Sequence, residues 1–151
     1  MMVYLIPESP TEEIERRMRC IPGIANFSLA SEITTDLEEM RKALVELTAD
    51  LRFQSFKIDT RRGTKDFPLT SQQINEELGR FVQTRSGAAV RLDTPELTCS
   101  IEIVGRRTFV SLSRIPGLGG LPARTGGRAA CLISGGIDSP VAAFRMMRRG
   151  C

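Results

Sequence analysis

The chain has 151 residues, of which 41% are hydrophobic and 26% charged, the composition of a folded globular protein with one ordinary domain or two small ones. It holds no histidine, which removes imidazole bases and histidine-ligated metals from its chemistry. Its four cysteines (Cys20, Cys99, Cys131, Cys151) form no C-x-x-C pair, which argues against a zinc site or a disulfide framework and fits a reducing cytoplasm. The net charge of +3 conceals an asymmetry: residues 1–50 carry ten acids and five bases, residues 51–151 eight acids and sixteen bases. The basic part invites a polyanion, or is simply a solvated basic surface. No apolar run approaches the roughly 20 residues that span a bilayer, and the N-terminal residues show no basic-then-apolar signal pattern, so no membrane partner is expected.

Residues 2–6 (MVYLI) read as a strand, and Thr11 to Arg19 as a helix with Thr11 as N-cap and Glu12 and Glu13 in the first turn. Ile21-Pro22-Gly23-Ile24 is a turn, and residues 24–34 read as a further strand. Asp36 can cap a helix over 36–50, with Leu37, Met40, Leu44 and Leu47 on one face. Residues 55–60 alternate Phe56 and Ile58 against Lys57 and Asp59, the pattern of a strand. A polar, basic loop follows to Phe67. Thr70 or Ser71 then caps a helix to about Arg85, with Ile74, Leu78, Phe81 and Val82 buried and Gly87 as its stop. Residues 89–92 read as a strand, and 97–104 with 108–113 as a hairpin around Gly105-Arg106. Residues 114–128 hold five glycines and two prolines and read as a loop or linker. A strand is expected over 129–133 and a helix over 139–149, with Gly150 at its C-cap; Cys131 then falls in the core.

Between that last strand and helix lies Ser134-Gly135-Gly136-Ile137-Asp138-Ser139. Strand, glycine-rich turn and helix N-terminus are the geometry of a phosphate site, because glycines let backbone N–H groups converge on an anion. Ser139 is expected to cap the helix, and Pro140 suits its first turn. No lysine follows the glycines, which disfavours a Walker-type loop. The same six residues can also serve as a tight turn and nothing more.

The hexapeptide matches the SGGxDS signature of the PP-loop ATP pyrophosphatases. With "FKIDTRRGTKDFPLTSQQIN", "TPELTCSIEIVGRRTFVS", "GLGGLP" and "LISGGIDSPVAAFRMMRRG" in that order, the chain resembles the ThiI family of tRNA 4-thiouridine synthases (tRNA sulfurtransferases). "RMRCIPGIANFS" is similar to the end of that family's N-terminal ferredoxin-like domain. The fold class implied is α+β: the C-terminal part of a ferredoxin-like domain (1–35), a THUMP RNA-binding domain (36–113), a Gly/Pro-rich linker (114–128) and the first β-α unit of an α/β PP-loop domain (129–151). The family's first strand and helix are not found upstream, nor the rest of its pyrophosphatase domain downstream, so the chain reads as truncated. A lone β-α unit cannot bury its strand, and residues 129–151 are therefore expected to be poorly anchored or to dock non-natively on the THUMP-like part.

The resemblance implies an enzyme that grips the acceptor end of tRNA, adenylates O4 of a uridine at position eight with ATP and Mg²⁺, and replaces the AMP with persulfide sulfur supplied by a cysteine desulfurase. It also implies a role in thiamine thiazole synthesis, a homodimer when full length, and a cytoplasmic location. Ser134, Gly135, Gly136, Asp138 and Ser139 would cradle phosphates, with Asp138 acting through Mg²⁺ or by fixing the loop, and Leu132 and Ile133 would border the adenosine. For RNA the candidates are Lys57, Arg61, Arg62 and Lys65, with Phe67 either stacking on a base or packing in a turn, and Arg106, Arg107 and Arg114 as secondary contacts. None of the four cysteines matches the family's catalytic ones. The competing reading is a THUMP-type RNA-binding module with no catalysis of its own, which describes this stretch well. Another PP-loop enzyme is opposed by the THUMP-like region. A THUMP-linked methyltransferase would need an Asn/Asp-Pro-Pro motif that is absent.

Overall fold

The computed structural model describes residues 3–6, 8, 10–64, 66–112 and 114–151. The elements in chain order are α1 (Thr11–Met18), β1 (Asn26–Phe27), β2 (Ser31–Thr34), α2 (Leu37–Thr48), β3 (Ser55–Arg62), α3 (Ser71–Ser86), β4 (Ala89–Val90), β5 (Leu97–Val104), β6 (Arg107–Ser111), β7 (Ile115–Pro116) and α4 (Asp138–Arg148). They fall into two compact units, one of residues 28–114 and one of residues 1–27 with 115–151.

The 28–114 unit is a five-stranded mixed sheet in the order β2-β6-β5-β3-β4. β3 runs parallel to both β4 and β5, while β5–β6 and β6–β2 are antiparallel. Both helices lie on one face. Met40 and Leu44 of α2 and Ile74, Leu78 and Val82 of α3 close over Phe56, Ile58, Cys99, Ile101, Ile103 and Val110 of the strands. The registers Ile58↔Cys99 and Ile101↔Val110 put these residues on the same side of the pleat. The helix ends follow local chemistry. Asp36 accepts from the N–H groups of Glu38 and Glu39 at 2.8 and 3.2 Å, and Thr70 with Gln73 forms a complete capping box. Gly87, at φ +71°, ends α3 in the left-handed region.

The other unit is organised differently. Segment 117–126, read as linker-like in the sequence, is stitched to its neighbours by backbone hydrogen bonds. Gly119 N donates to Ile24 O and Gly23 N to Gly119 O, each at 2.8 Å; Leu121 N donates to Arg148 O at 2.8 Å and Gly126 N to Gly150 O at 3.0 Å. Such approaches exclude side chains. A Cβ on Gly23, which has φ +91°, would sit 2.9 Å from Pro122 Cα, and one on Gly120 would collide with the Arg148 carbonyl.

Several expected elements differ. Residues 3–6 are exposed and form no strand, and Met2 lies outside the described residues. Thr11 is the first residue of α1 rather than its cap; Pro10 occupies that position without a capping hydrogen bond. The single strand expected over 24–34 is two short strands that enter different sheets. No strand forms over 129–133: Leu132 is 93% exposed and Ile133 65%, because no described strand pairs with them. Cys131 is correspondingly exposed rather than in the core. The 129–151 stretch groups with residues 1–27 and 115–128, not with the 28–114 unit.

Candidate functional site

The segment Ser134–Ser139 leads into α4, whose first turn presents N–H groups with no intrahelical partner. Ile137 takes the N-cap position and supplies no side-chain cap, so the expected capping by Ser139 is not seen. Ser139 is instead inside the first turn, and its hydroxyl accepts from Ser134 N at 2.9 Å and lies 3.1 Å from Ser134 Oγ. Gly136 N donates to Ser134 Oγ at 3.4 Å. The two serines thus close the base of the loop.

The glycines have no steric reason within the protein. A Cβ on Gly135 would meet nothing within 4 Å, one on Gly136 would meet only Ser134 Oγ at 3.6 Å, and neither has a positive φ. Space over an open backbone at a helix N-terminus suits the phosphates of a nucleotide. Asp138 at the start of α4 is exposed and sits where a carboxylate favours the helix dipole. Among the described residues no cluster of three or more metal-ligating side chains exists. A magnesium ion would need only one carboxylate when phosphates and water supply the other ligands, so Asp138 fits that minimum. Leu132 and Ile133, beside the loop in sequence, are exposed.

The proposed RNA contacts fall on different surfaces. Lys57, Asp59 and Arg61 of β3 point away from the helices, on the open face of the sheet. Arg61 is exposed, 3.5 Å from Asp59, and Lys57 Nζ lies 3.3 Å from Leu92 O. Arg62 has the opposite parity and pairs in register with the core residue Ile103. Its guanidinium donates to the carbonyls of Phe67 (3.2 Å) and Leu69, clamping the 63–69 loop. Phe67 is half-buried against the main core, the packed-turn reading of that residue. Lys65 lies outside the described residues. Arg106 is exposed at the β5–β6 turn, and Arg114 is exposed; neither makes an ion pair among the described residues. Arg107 forms a two-pronged pair with Glu32, both contacts 2.6 Å, and stacks 5.1 Å above Phe109. The guanidinium holds the Glu32 carboxyl below its ordinary pKa.

The period-2 pattern Phe56, Ile58, Thr60, Arg62 could have separated Arg62 from Arg61 in the sequence. Arg145, Arg148 and Arg149 are a further basic group whose i, i+3, i+4 spacing, legible in the sequence, puts them on one side of α4. Cys99 is fully buried, and burial pushes its thiol up to about 12. No described helix is long and apolar enough to cross a membrane.

The THUMP domain profile matches residues 34–113, and that of the thiamine biosynthesis protein ThiI matches residues 124–151. The chain is 39% identical over 149 residues to a probable tRNA sulfurtransferase of Thermus thermophilus, covering 99% of this chain and 37% of the relative. It is 36% identical over 140 residues to one from Methanocaldococcus jannaschii, covering 89% and 37%. Among solved structures it is similar to a Pyrococcus horikoshii Ot3 protein, with TM-score 0.82, 28% identity, and coverage of 92% of this chain and 49% of that one. It is also similar to a 4-thiouridine synthetase–RNA complex with bound ATP, with TM-score 0.74, 31% identity, and coverage of 96% and 38%. The chain thus spans less than two fifths of the length of these curated relatives.

Proposed function

Because the chain belongs to the ThiI family of THUMP-bearing proteins, we propose that its 28–114 unit binds tRNA at the acceptor end. In the complete protein, we propose, the Ser134–Ser139 loop holds ATP for tRNA thiolation. The observation that carries this is the pairing of a THUMP fold with an open SGGIDS loop at a helix N-terminus. On this reading the exposed cations Arg61, Arg106 and Arg114, with Lys57 and Lys65, meet phosphates. Arg62 shapes the loop that carries Lys65, and Arg107 braces β6 against Glu32 on β2. The backbone N–H groups of Gly135 and Gly136 and of the first turn of α4 receive phosphate oxygens, with Asp138 as the carboxylate for Mg²⁺.

ATP would supply an adenylyl group that turns O4 of a uridine, at position eight, into a leaving group for sulfur. The sulfur source in this reading is a cysteine desulfurase. The thiamine role and the homodimer belong to the complete protein. By itself this chain binds RNA without catalysing thiolation. Exposure of Leu132, Ile133 (65%) and Ile137 (78%) supports that, since a working nucleotide site excludes water around the base.

Fluorescence anisotropy with labelled tRNA, with and without its single-stranded 3′ end, at two salt concentrations tests the reading. Tight, salt-sensitive binding that falls when the 3′ end is removed is expected. Weak binding, equal for both RNAs, would sink the RNA assignment for this unit.

A further inference from the structure

A groove of about 610 Å³ runs along the C-terminal half of α4, lined by Gly120, Ala142, Arg145, Met146, Arg148 and Arg149. It is not the nucleotide loop. Arg145 and Arg148 lie seven and ten steps beyond Asp138, so at 1.5 Å per residue the groove's arginines sit roughly 10–15 Å along the helix from the loop. Ala142, Arg145, Met146 and Arg149 follow at i, i+3, i+4 and i+7 and share one face; Arg148 adds a third cation at its edge.

Among the described residues none of Arg145, Arg148 and Arg149 forms an ion pair, and the single acid of α4 is Asp138, at the opposite end. Three other helical arginines are neutralised, Arg17 by Glu13, Arg41 by Glu38 and Arg80 by Glu77, while Arg16 and Arg85 form no ion pair among the described residues. Two arginines in the last turn suit the helix dipole, but three on adjoining positions also repel one another. That arrangement is relieved by an anion from outside.

The wall facing them is fixed by backbone. Leu121 N donates to Arg148 O at 2.8 Å, and Gly120, at φ +91°, admits no side chain because a Cβ would strike that carbonyl. The result is a mostly apolar groove over Ala142 and Met146, bounded by backbone at Gly120, with the exposed residues Arg145, Arg148 and Arg149 along it. Arg124 and Arg128 on the neighbouring loop are also exposed and unpaired among the described residues. Guanidinium forks match phosphate oxygens, and a row of them fits a phosphodiester chain better than a single small anion.

We propose that this arginine face of α4 is a second RNA contact, one that binds consecutive backbone phosphates independently of sequence. It rests on the RNA-binding reading of the 28–114 unit and adds to it a phosphate track in the other unit. Its role is positioning: it carries no information about bases.

The test is the salt dependence of RNA affinity for the whole chain, measured by anisotropy for the native protein and for the double variant Arg145→Gln/Arg149→Gln. Glutamine keeps the helix propensity of arginine, and far-UV circular dichroism checks that α4 survives. A charge-matched control, Arg17→Gln/Arg80→Gln, removes two arginines already paired with glutamates. Loss of two phosphate contacts should make the slope of log K against log salt shallower by about 1.4–1.8, with little change in the control. If the α4 variant and the control shift alike, the groove makes no phosphate contact and the proposal fails while RNA binding stands. If the native chain binds no RNA at any salt, the functional reading fails first, and this proposal with it.

Discussion

The two units of this chain are held together by different means. In residues 28–114 the order comes from side chains: each fully buried hydrophobic residue of the described structure, from Met40 to Val110, belongs to this unit. In the other unit the order comes from main chain against main chain, with glycines at 23, 117, 120 and 126 where a Cβ would strike another strand of backbone. A side-chain core makes a rigid platform that tolerates charge on its open face. A backbone lattice needs little apolar surface and leaves its loops and helix faces open to ligands. The first suits recognition of a large polyanion and the second a loop that must let phosphates reach its backbone.

Five measurements sharpen or break this contrast. The largest effect is chemical. Burial lifts the Cys99 thiol to about 12 from an ordinary 9.0, so its thiolate is roughly a thousandfold scarcer at neutral pH. Mass-spectrometric mapping of maleimide labelling should find exposed Cys20 and Cys131 modified promptly and Cys99 only after unfolding. Labelling of Cys99 at the same rate would mean that the core is not closed. Next, Leu44→Ala should destabilise the 28–114 unit by about 2–5 kcal/mol in urea titrations, whereas Met147→Ala, on exposed α4, should stay within about 0.5 kcal/mol.

Gly120→Ala should act on the other unit alone. It forbids the approach to Arg148 and strains a positive φ, at a cost above about 1 kcal/mol. Hydrogen exchange should speed up at Leu121 and Gly126 while the amides of β3 and β5 keep their protection; loss of protection in both would show that the substitution does not act locally. Thr70→Ala removes the capping box of α3 and should cost about 1 kcal/mol. The smallest effect is a pH dependence. The Arg107 guanidinium depresses the Glu32 pKa, so this pair adds stability above the ordinary carboxylate range, and that contribution is lost as pH falls through the lower, folded-state value. Between pH 7 and 3 the urea midpoint of Glu32→Gln should fall slightly less than that of the native chain. An identical fall would show the pair to be energetically silent, as many exposed pairs are.

Much of the 28–114 unit was legible beforehand because its signals are local and agree with one another. Asp36 caps α2 as read, Thr70 rather than the alternative Ser71 caps α3, and the spacing of Met40, Leu44, Ile74 and Leu78 marks the buried faces. The misjudged places are those where a neighbour decides. Residues 24–34 look like one strand but divide between β1, paired with β7, and β2, paired with β6. Arg61 and Arg62 look equivalent, yet the pleat turns one to solvent and ties the other to loop carbonyls. Residues 129–133 have the composition of a buried strand and Cys131 that of a core residue, but no strand lies beside them and they stay exposed.

The sequence by itself determined α2 and α3 with their caps, the alternation of Phe56 and Ile58 in β3, the SGGIDS loop and the surplus of positive charge, because propensity, periodicity and composition act over a few residues. Tertiary structure alone decided which cations are consumed by partners and which stay free, and that the glycine-rich stretch 117–126 is a ladder of main-chain hydrogen bonds. It also decided that Arg145 and Arg148 of α4, with Arg149 just after it, line a groove. The physical reason is common to all three: a hydrogen bond or a charge pair between distant residues depends on where the chain returns, and no local pattern encodes that return.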